Sequence, residues 1–184
     1  MFPSDILGRQ QDVELIARVD LLADAASILF SGIPQTFRHL RIIGQLRTTQ
    51  AVTIDYLAWR FNGDAGNNYN YTATTIRGAT LGAGAGGGEN YTYSAIFAPD
   101  APGASASPNR FVGFEAMLPE YAGNGNKVLF VHGHMVYTGS TPGARYVLGG
   151  GVWENNAAIN SISVQPGNVG NLAAGSRLAL YGIR

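Results

Sequence analysis

The chain has 184 residues, balances 12 Lys and Arg against 12 Asp and Glu, and contains no cysteine. Neutrality without a basic stripe argues against a nucleic-acid partner, and the missing thiols exclude disulfides, thiolate metal sites and cysteine nucleophiles. Hydrophobic residues make up 46% and charged residues only 13%, against about 25% charged in a typical soluble domain, so Asn, Thr, Ser and Gln wet the surface or other chains cover part of it.

The length suits one domain with a sizeable core. No apolar run approaches the roughly 18 residues of a membrane span, and the opening MFPSDILGRQQDVE has no apolar core behind a basic start, so neither membrane nor secretory leader is expected. Residues 1–22 divide off as an N-terminal arm with a first strand, a segment suited to attachment. Residues 23–184 read as a single β-sandwich domain.

Met1 to Gln11 is polar and irregular, either a frayed terminus or an arm that docks on a neighbour. Val13–Leu21 predicts a strand, and Ile28 and Phe30 alternate with Ser27 and Ser31 before Gly32 and Pro34 turn the chain. Thr36–Thr48 predicts a long strand in which Leu40, Ile42 and Leu46 share one face. Its other face mixes Arg41 and Ile43 with polar residues, the pattern of partial exposure or contact with another chain. Val52–Phe61 is expected as its hairpin partner, with a bulge near Asp55 where the apolar parity changes.

The stretch Leu57–Tyr71, LAWRFNGDAGNNYNY, is strand, polar loop, strand, turning at Asn62-Gly63-Asp64. The second strand continues over Ala73–Gly78. Gly78–Gly88 is a glycine-rich loop without the Gly-Lys-Ser/Thr ending or following helix that a phosphate loop needs. Tyr91–Phe97 predicts a strand and Ala98–Asn109 an exposed loop. Phe111–Leu118, Val128–Tyr137 and Tyr146–Trp153 follow as strands, the last weakened or bulged at Gly149–Gly151. Ile159–Val164 and a closing strand over Leu178–Ile183 complete about ten strands with regular turn signals. The pattern is an all-β, antiparallel, jelly-roll-like sandwich. Leu40, Ile42, Trp59, Phe61, Phe111, Phe130, Ile162 and Leu180 are its expected core.

Few constellations carry chemistry. Asn62, Asp64 and Asn67, with Asn68, offer oxygens in a Gly-rich turn that suit Ca²⁺, although one carboxylate is thin for a tight site; turn bonding to the loop's own backbone is the plain alternative. His132 and His134 share a strand face without a third ligand. Asp100, Glu115 and Glu120 have no spacing that sets an acid/base pair. Tyr69, Tyr71, Tyr91 and Tyr93, with Tyr121, could stack on sugar rings or fill the core. No catalytic residue and no cofactor is assigned.

Several segments together resemble small β-rich structural proteins of tailed bacteriophages, the head decoration, fibre and tail-associated modules. They are Ile28–Phe37 (ILFSGIPQTF) with His39-Leu40; Arg60–Asp64 (RFNGD) with Asn68-Tyr69; Trp153 followed by Ile159–Ile162 (INSI); and Gly175–Ile183 (GSRLALYGI). The likeness runs from about Ile28 onward. It implies a non-enzymatic virion component, a capsid decoration (cement) or fibre protein, with major capsid or tail proteins as partners. It also implies a homo-oligomer, and the trimer comes from it alone. Low charge and the mixed Thr36–Thr48 face point independently to self-association. Ile6, Leu7, Val13, Arg41 and Ile43 are the interface candidates. The rival expectation is a module that binds host or environmental glycan.

Overall fold

Period-two alternation of β-branched and aromatic residues, punctuated by Gly, Pro and Asn, leaves this chain few ways to bury its apolar side chains except on facing sheets. The computed structural model describes residues 13–77, 80–82 (backbone only), 93–137 and 143–184. Among them are twelve strands and no helix: β1 Val13–Asp20, β2 Ile28–Ser31, β3 His39–Leu46, β4 Ile54–Phe61, β5 Tyr69–Arg77, β6 Thr80–Gly82, β7 Ile96–Pro102, β8 Val112–Pro119, β9 Lys127–Tyr137, β10 Gly143–Trp153, β11 Ser161–Pro166 and β12 Arg177–Ile183. They form an eight-stranded sheet, ordered β1-β12-β3-β8-β9-β10-β5-β6, and a four-stranded sheet, ordered β2-β11-β4-β7. Every pairing is antiparallel.

One core lies between the sheets. Leu40, Ile42 and Leu46 of β3 meet Leu57, Trp59 and Phe61 of β4 within it, with Ile162, Val164 and Leu180. Six of the eight expected core residues are buried there. Phe130 is not: it is 57% exposed. Leu129, Val131 and Met135 take the inward parity of β9, which puts Phe130 on the far side of the sheet. Phe111 is half-buried just before β8, its ring against the backbone of Gly175.

β4 is not the hairpin partner of β3. It pairs with β11 and β7 in the other sheet, whereas β3 pairs with β12 and β8. Both strands carry a row of large apolar residues, and those rows bury each other when the strands oppose across the core rather than lie side by side. The β4–β7 register shifts between Tyr56 and Ala58, close to the expected irregularity near Asp55. The extra residue belongs to β7, beside Pro99, which has no N–H to give a ladder.

Ala98–Asn109 is not simply a loop, since its first half is the edge strand β7. Edge strands tolerate the prolines at 99 and 102. Small residues suit it as well, because β7 packs on the glycines of β9 and β10. A Cβ on Gly133 would stand 3.0 Å from Pro99, one on Gly149 3.1 Å from Ala98, and one on Gly151 2.9 Å from Ile96. The glycine run therefore gives close approach to a second sheet and does not bulge; β10 keeps an unbroken register with both neighbours.

The second half, residues 103–110, is gathered by Arg47. Its guanidinium donates to the carbonyls of Ala104, Ala106, Ser107 and Arg110 at 2.7–3.3 Å. Burial pulls its pKa below the usual arginine value. β12, the last strand among the described residues, lies inside the large sheet between β1 and β3 and is covered on both edges.

Candidate interaction face

An antiparallel sheet that packs on one side normally shows water a polar row on the other. The four-stranded sheet obeys in part: β11 turns outward Ser161, Ser163 and Gln165, each half-buried, beside Arg60 of β4, while Leu29 of β2 and Tyr56 of β4 are exposed there as well. The large sheet does not. Successive register positions run outward across seven strands as Leu15, Tyr181, Arg41, Met117, Phe130, Gly150 and Thr72. The next row reads Ala179, Ile43, Glu115, His132, Leu148 and Thr74. Leu15, Phe130 and Leu148 are each at least half exposed; Val13, Ile43, Met117 and Val136 are exposed as well.

The charges at the centre of this face neutralise one another. Arg41 and Glu115 are diagonal neighbours on β3 and β8, with Nε 2.7 Å from Oε1 and Nη2 donating to Oε2 at 3.0 Å. His132 Nε2 stands 3.6 Å from Glu115, and its Nδ1 is 3.5 Å from the Tyr146 hydroxyl. At the corner toward β1, Arg18 donates to Asp20 at 2.7 and 2.9 Å. Side-chain rows leave shallow grooves: one of about 630 Å³ floored by Gly150 between Phe130 and Thr72, one of about 460 Å³ over Gly113 and Ala179, and one of about 370 Å³ beside Met117 and Leu148.

Of the interface candidates, Arg41 and Ile43 lie centrally on this face and Val13 is exposed at the start of edge strand β1. Ile6 and Leu7 lie outside the described residues. His132 and His134 do share the outward side of β9, but no group of three His, Cys, Asp or Glu capable of holding a metal occurs among the described residues. The three carboxylates are dispersed among separate arginine pairs: Asp100 with Arg145, Glu115 with Arg41, and Glu120 with Arg38.

The Asn62–Asn68 loop spends its polar groups on its own backbone and on the 153–161 segment. Asn62, at φ 52°, accepts from the backbone N–H of Asn160 and Ser161 and donates to the Ala158 carbonyl. Asp64 accepts from Gly66 N–H, the Asn68 amide and the Trp153 indole at 2.8–2.9 Å. Those donors, Trp153 foremost, hold the Asp64 carboxyl below its ordinary pKa. Asn67 is exposed. The loop thus serves as a clasp between β4, β5 and the end of β10.

Tyr69 offers no surface to a sugar. It is fully buried against Phe61 and Trp153, its hydroxyl bonded to the backbone of Phe61 and Asp64, and burial raises its pKa to about 12. Tyr71 and Tyr93 sit half-buried with their ring centroids 4.7 Å apart, joined to Phe97 and through it to Tyr56. Tyr91 lies outside the described residues. Tyr121 is buried, its hydroxyl donating to the Pro34 carbonyl. Sequence reasoning overlooked Lys127, a lysine buried at the start of β9 whose ammonium donates to the Gly125 carbonyl and whose pKa burial lowers. No protein-family model, curated protein or solved structure matches this chain.

Proposed function

We propose that this chain is a non-enzymatic structural component of a tailed-phage virion, a capsid decoration or fibre protein that works as a homotrimer. The observation that carries the reading is strand order. β1-β12-β3-β8 lies opposite β2-β11-β4-β7, and successive strands of the β1–β4 and β11–β12 segments alternate between the sheets. Such an order supports a jelly roll, an architecture that capsids and lectins share, with β9, β10, β5 and β6 extending one sheet. Fold alone does not assign function. The virion part of the reading draws on the resemblance of ILFSGIPQTF, RFNGD and GSRLALYGI to phage structural modules.

The test is add-back. Particles assembled without this protein are incubated with purified chain, and saturable binding at a stoichiometry in multiples of three is expected. Particles that bind none would overturn the virion reading. Release of reducing ends from capsular polysaccharide, abolished by Glu115→Gln or Glu120→Gln, would overturn the non-enzymatic one.

A second reading, a glycan-binding adhesion module, draws on the ring group of half-buried Tyr71, Tyr93 and Phe97 with exposed Tyr56. Saturable binding on a glycan array, lost in Tyr71→Ala, would favour it.

A further inference from the structure

We infer that the outer face of the eight-stranded sheet is a homotypic interface, on which copies of this chain pack against the same face of both neighbours around a three-fold axis. The inference deepens the oligomer reading above and rests on it. Its evidence is the contrast within one molecule. The small sheet turns Ser161, Ser163, Gln165 and Arg60 outward, with Leu29 and Tyr56 as its exposed large apolar side chains, whereas the large sheet turns outward Leu15, Ile43, Met117, Phe130 and Leu148 at neighbouring register positions. Contiguous apolar surface of that kind marks a contact.

The area suffices. Seven strands at about 4.8 Å spacing and about eight residues at 3.3 Å make a face of roughly 900 Å². Shared between two neighbours around the axis, it buries roughly 900 Å² in total at each pairwise contact, the low end of specific interfaces, and each subunit covers the whole face.

Charge selects the occupant. A surface that recognises a different protein by electrostatics carries net charge to match. A surface that meets its own copy must be neutral within itself, because like net charges would repel. At the centre of this face Arg41 and Glu115 pair with each other, Nη2 donating to Oε2, so burial leaves neither charge without a counter-charge, although Arg41 Nε makes no hydrogen bond. The relief fits as well: the ridge of Met117 and Phe130 lies beside the groove floored by Gly150, so one face presents both knob and hole.

The absence of native cysteine makes the test clean. Association is measured by sedimentation across a concentration series for the wild type, Phe130→Asp, Leu148→Asp and, as control on the opposite sheet, Leu29→Asp, which is 58% exposed. Single-cysteine variants Met117→Cys and Ile43→Cys are crosslinked in parallel with a short bismaleimide. The expected result is that both face variants weaken association by about 100-fold or more while keeping the wild-type unfolding midpoint of the monomer, that Leu29→Asp assembles normally, and that both cysteine variants crosslink. Phe130→Asp and Leu148→Asp assembling like wild type would overturn the inference. If Leu29→Asp alone dissociates the oligomer, the interface moves to the small sheet and the oligomer reading survives. A wild type that stays monomeric at high concentration would end that reading together with this one. If in that case Phe130→Asp also fails to bind particles, the face belongs to another virion protein and not to a second copy.

Discussion

Trp59 gives the sharpest measure of how the two sheets are held together. It is fully buried on β4, its ring edge-on to Phe114 of the large sheet at 5.8 Å, and its indole N–H donates to the Ala98 carbonyl of β7. Trp59→Ala opens a cavity, which costs about 3–5 kcal/mol for a large-to-small core change. It also strands the Ala98 carbonyl, a further 1–3 kcal/mol or so that overlaps with the first term. Trp59→Phe keeps most of the volume and loses chiefly the hydrogen bond, so about 1–2 kcal/mol is expected. For a domain of this size each kcal/mol moves Tm by about 2–4 °C, which separates the variants by several degrees. Equilibrium unfolding in urea, followed by tyrosine fluorescence and far-UV dichroism together, measures both. A Trp59→Ala protein within about 1 kcal/mol of wild type, or a Trp59→Phe protein no better than Trp59→Ala, would refute the packing argument.

Asp64→Asn should lower stability at neutral pH by about 1–2 kcal/mol, a figure kept small because solvent reaches the loop. The folded-state pKa of Asp64 is depressed, so its contribution is complete above the ordinary carboxyl value and lost as pH falls through the folded one; an acid-unfolding profile should be flatter in the variant, and an unchanged profile would argue against the Trp153 bond. Gly151→Ala should cost about 1–3 kcal/mol, since its Cβ would stand 2.3 Å from the Asn70 carbonyl oxygen, whereas Gly125→Ala, with open space around it, should stay within about 0.5 kcal/mol; equal midpoints in thermal unfolding would contradict that difference. Arg47→Met should free the backbone of 103–110, raising amide hydrogen exchange at Ala104, Ser105 and Ala106 at least tenfold with the rest of the molecule little changed.

The fold class was legible because most strands alternate cleanly. The parity of β3 alone separated Leu40, Ile42 and Leu46 from Arg41 and Ile43, and with them core from interaction face. Alternation fails where both parities are apolar. In VLFVHGHMVY it cannot say whether Leu129 or Phe130 goes inside, and only the packing against β7 decides. Pairing across the molecule was illegible for a different reason: β3 and β4 are adjacent in sequence, and local turn signals do not record that the link between them crosses from one sheet to the other. β7 was hidden by composition, because Ala and Pro have low strand propensity and are selected there by the glycines they pack on. The clasp roles of Asn62 and Asp64 were legible as turn chemistry, but their distant partners at Trp153 and residues 158–161 were not.

The position of β12 sets a schedule for folding. Leu15 finds its neighbour at Tyr181 and Arg41 shares that same residue, so β1 and β3 are joined only through a strand made after every other described strand. Until then β3 has one bare edge and β1 pairs with nothing in the sheet. Contacts so distant along the chain make for slow closure. Throughout that wait the unpaired edge and the apolar rows beside it are available to other nascent copies. A host that produces the protein quickly should therefore accumulate aggregated chains before stable ones, and slower synthesis at lower temperature should shift the balance toward the folded form.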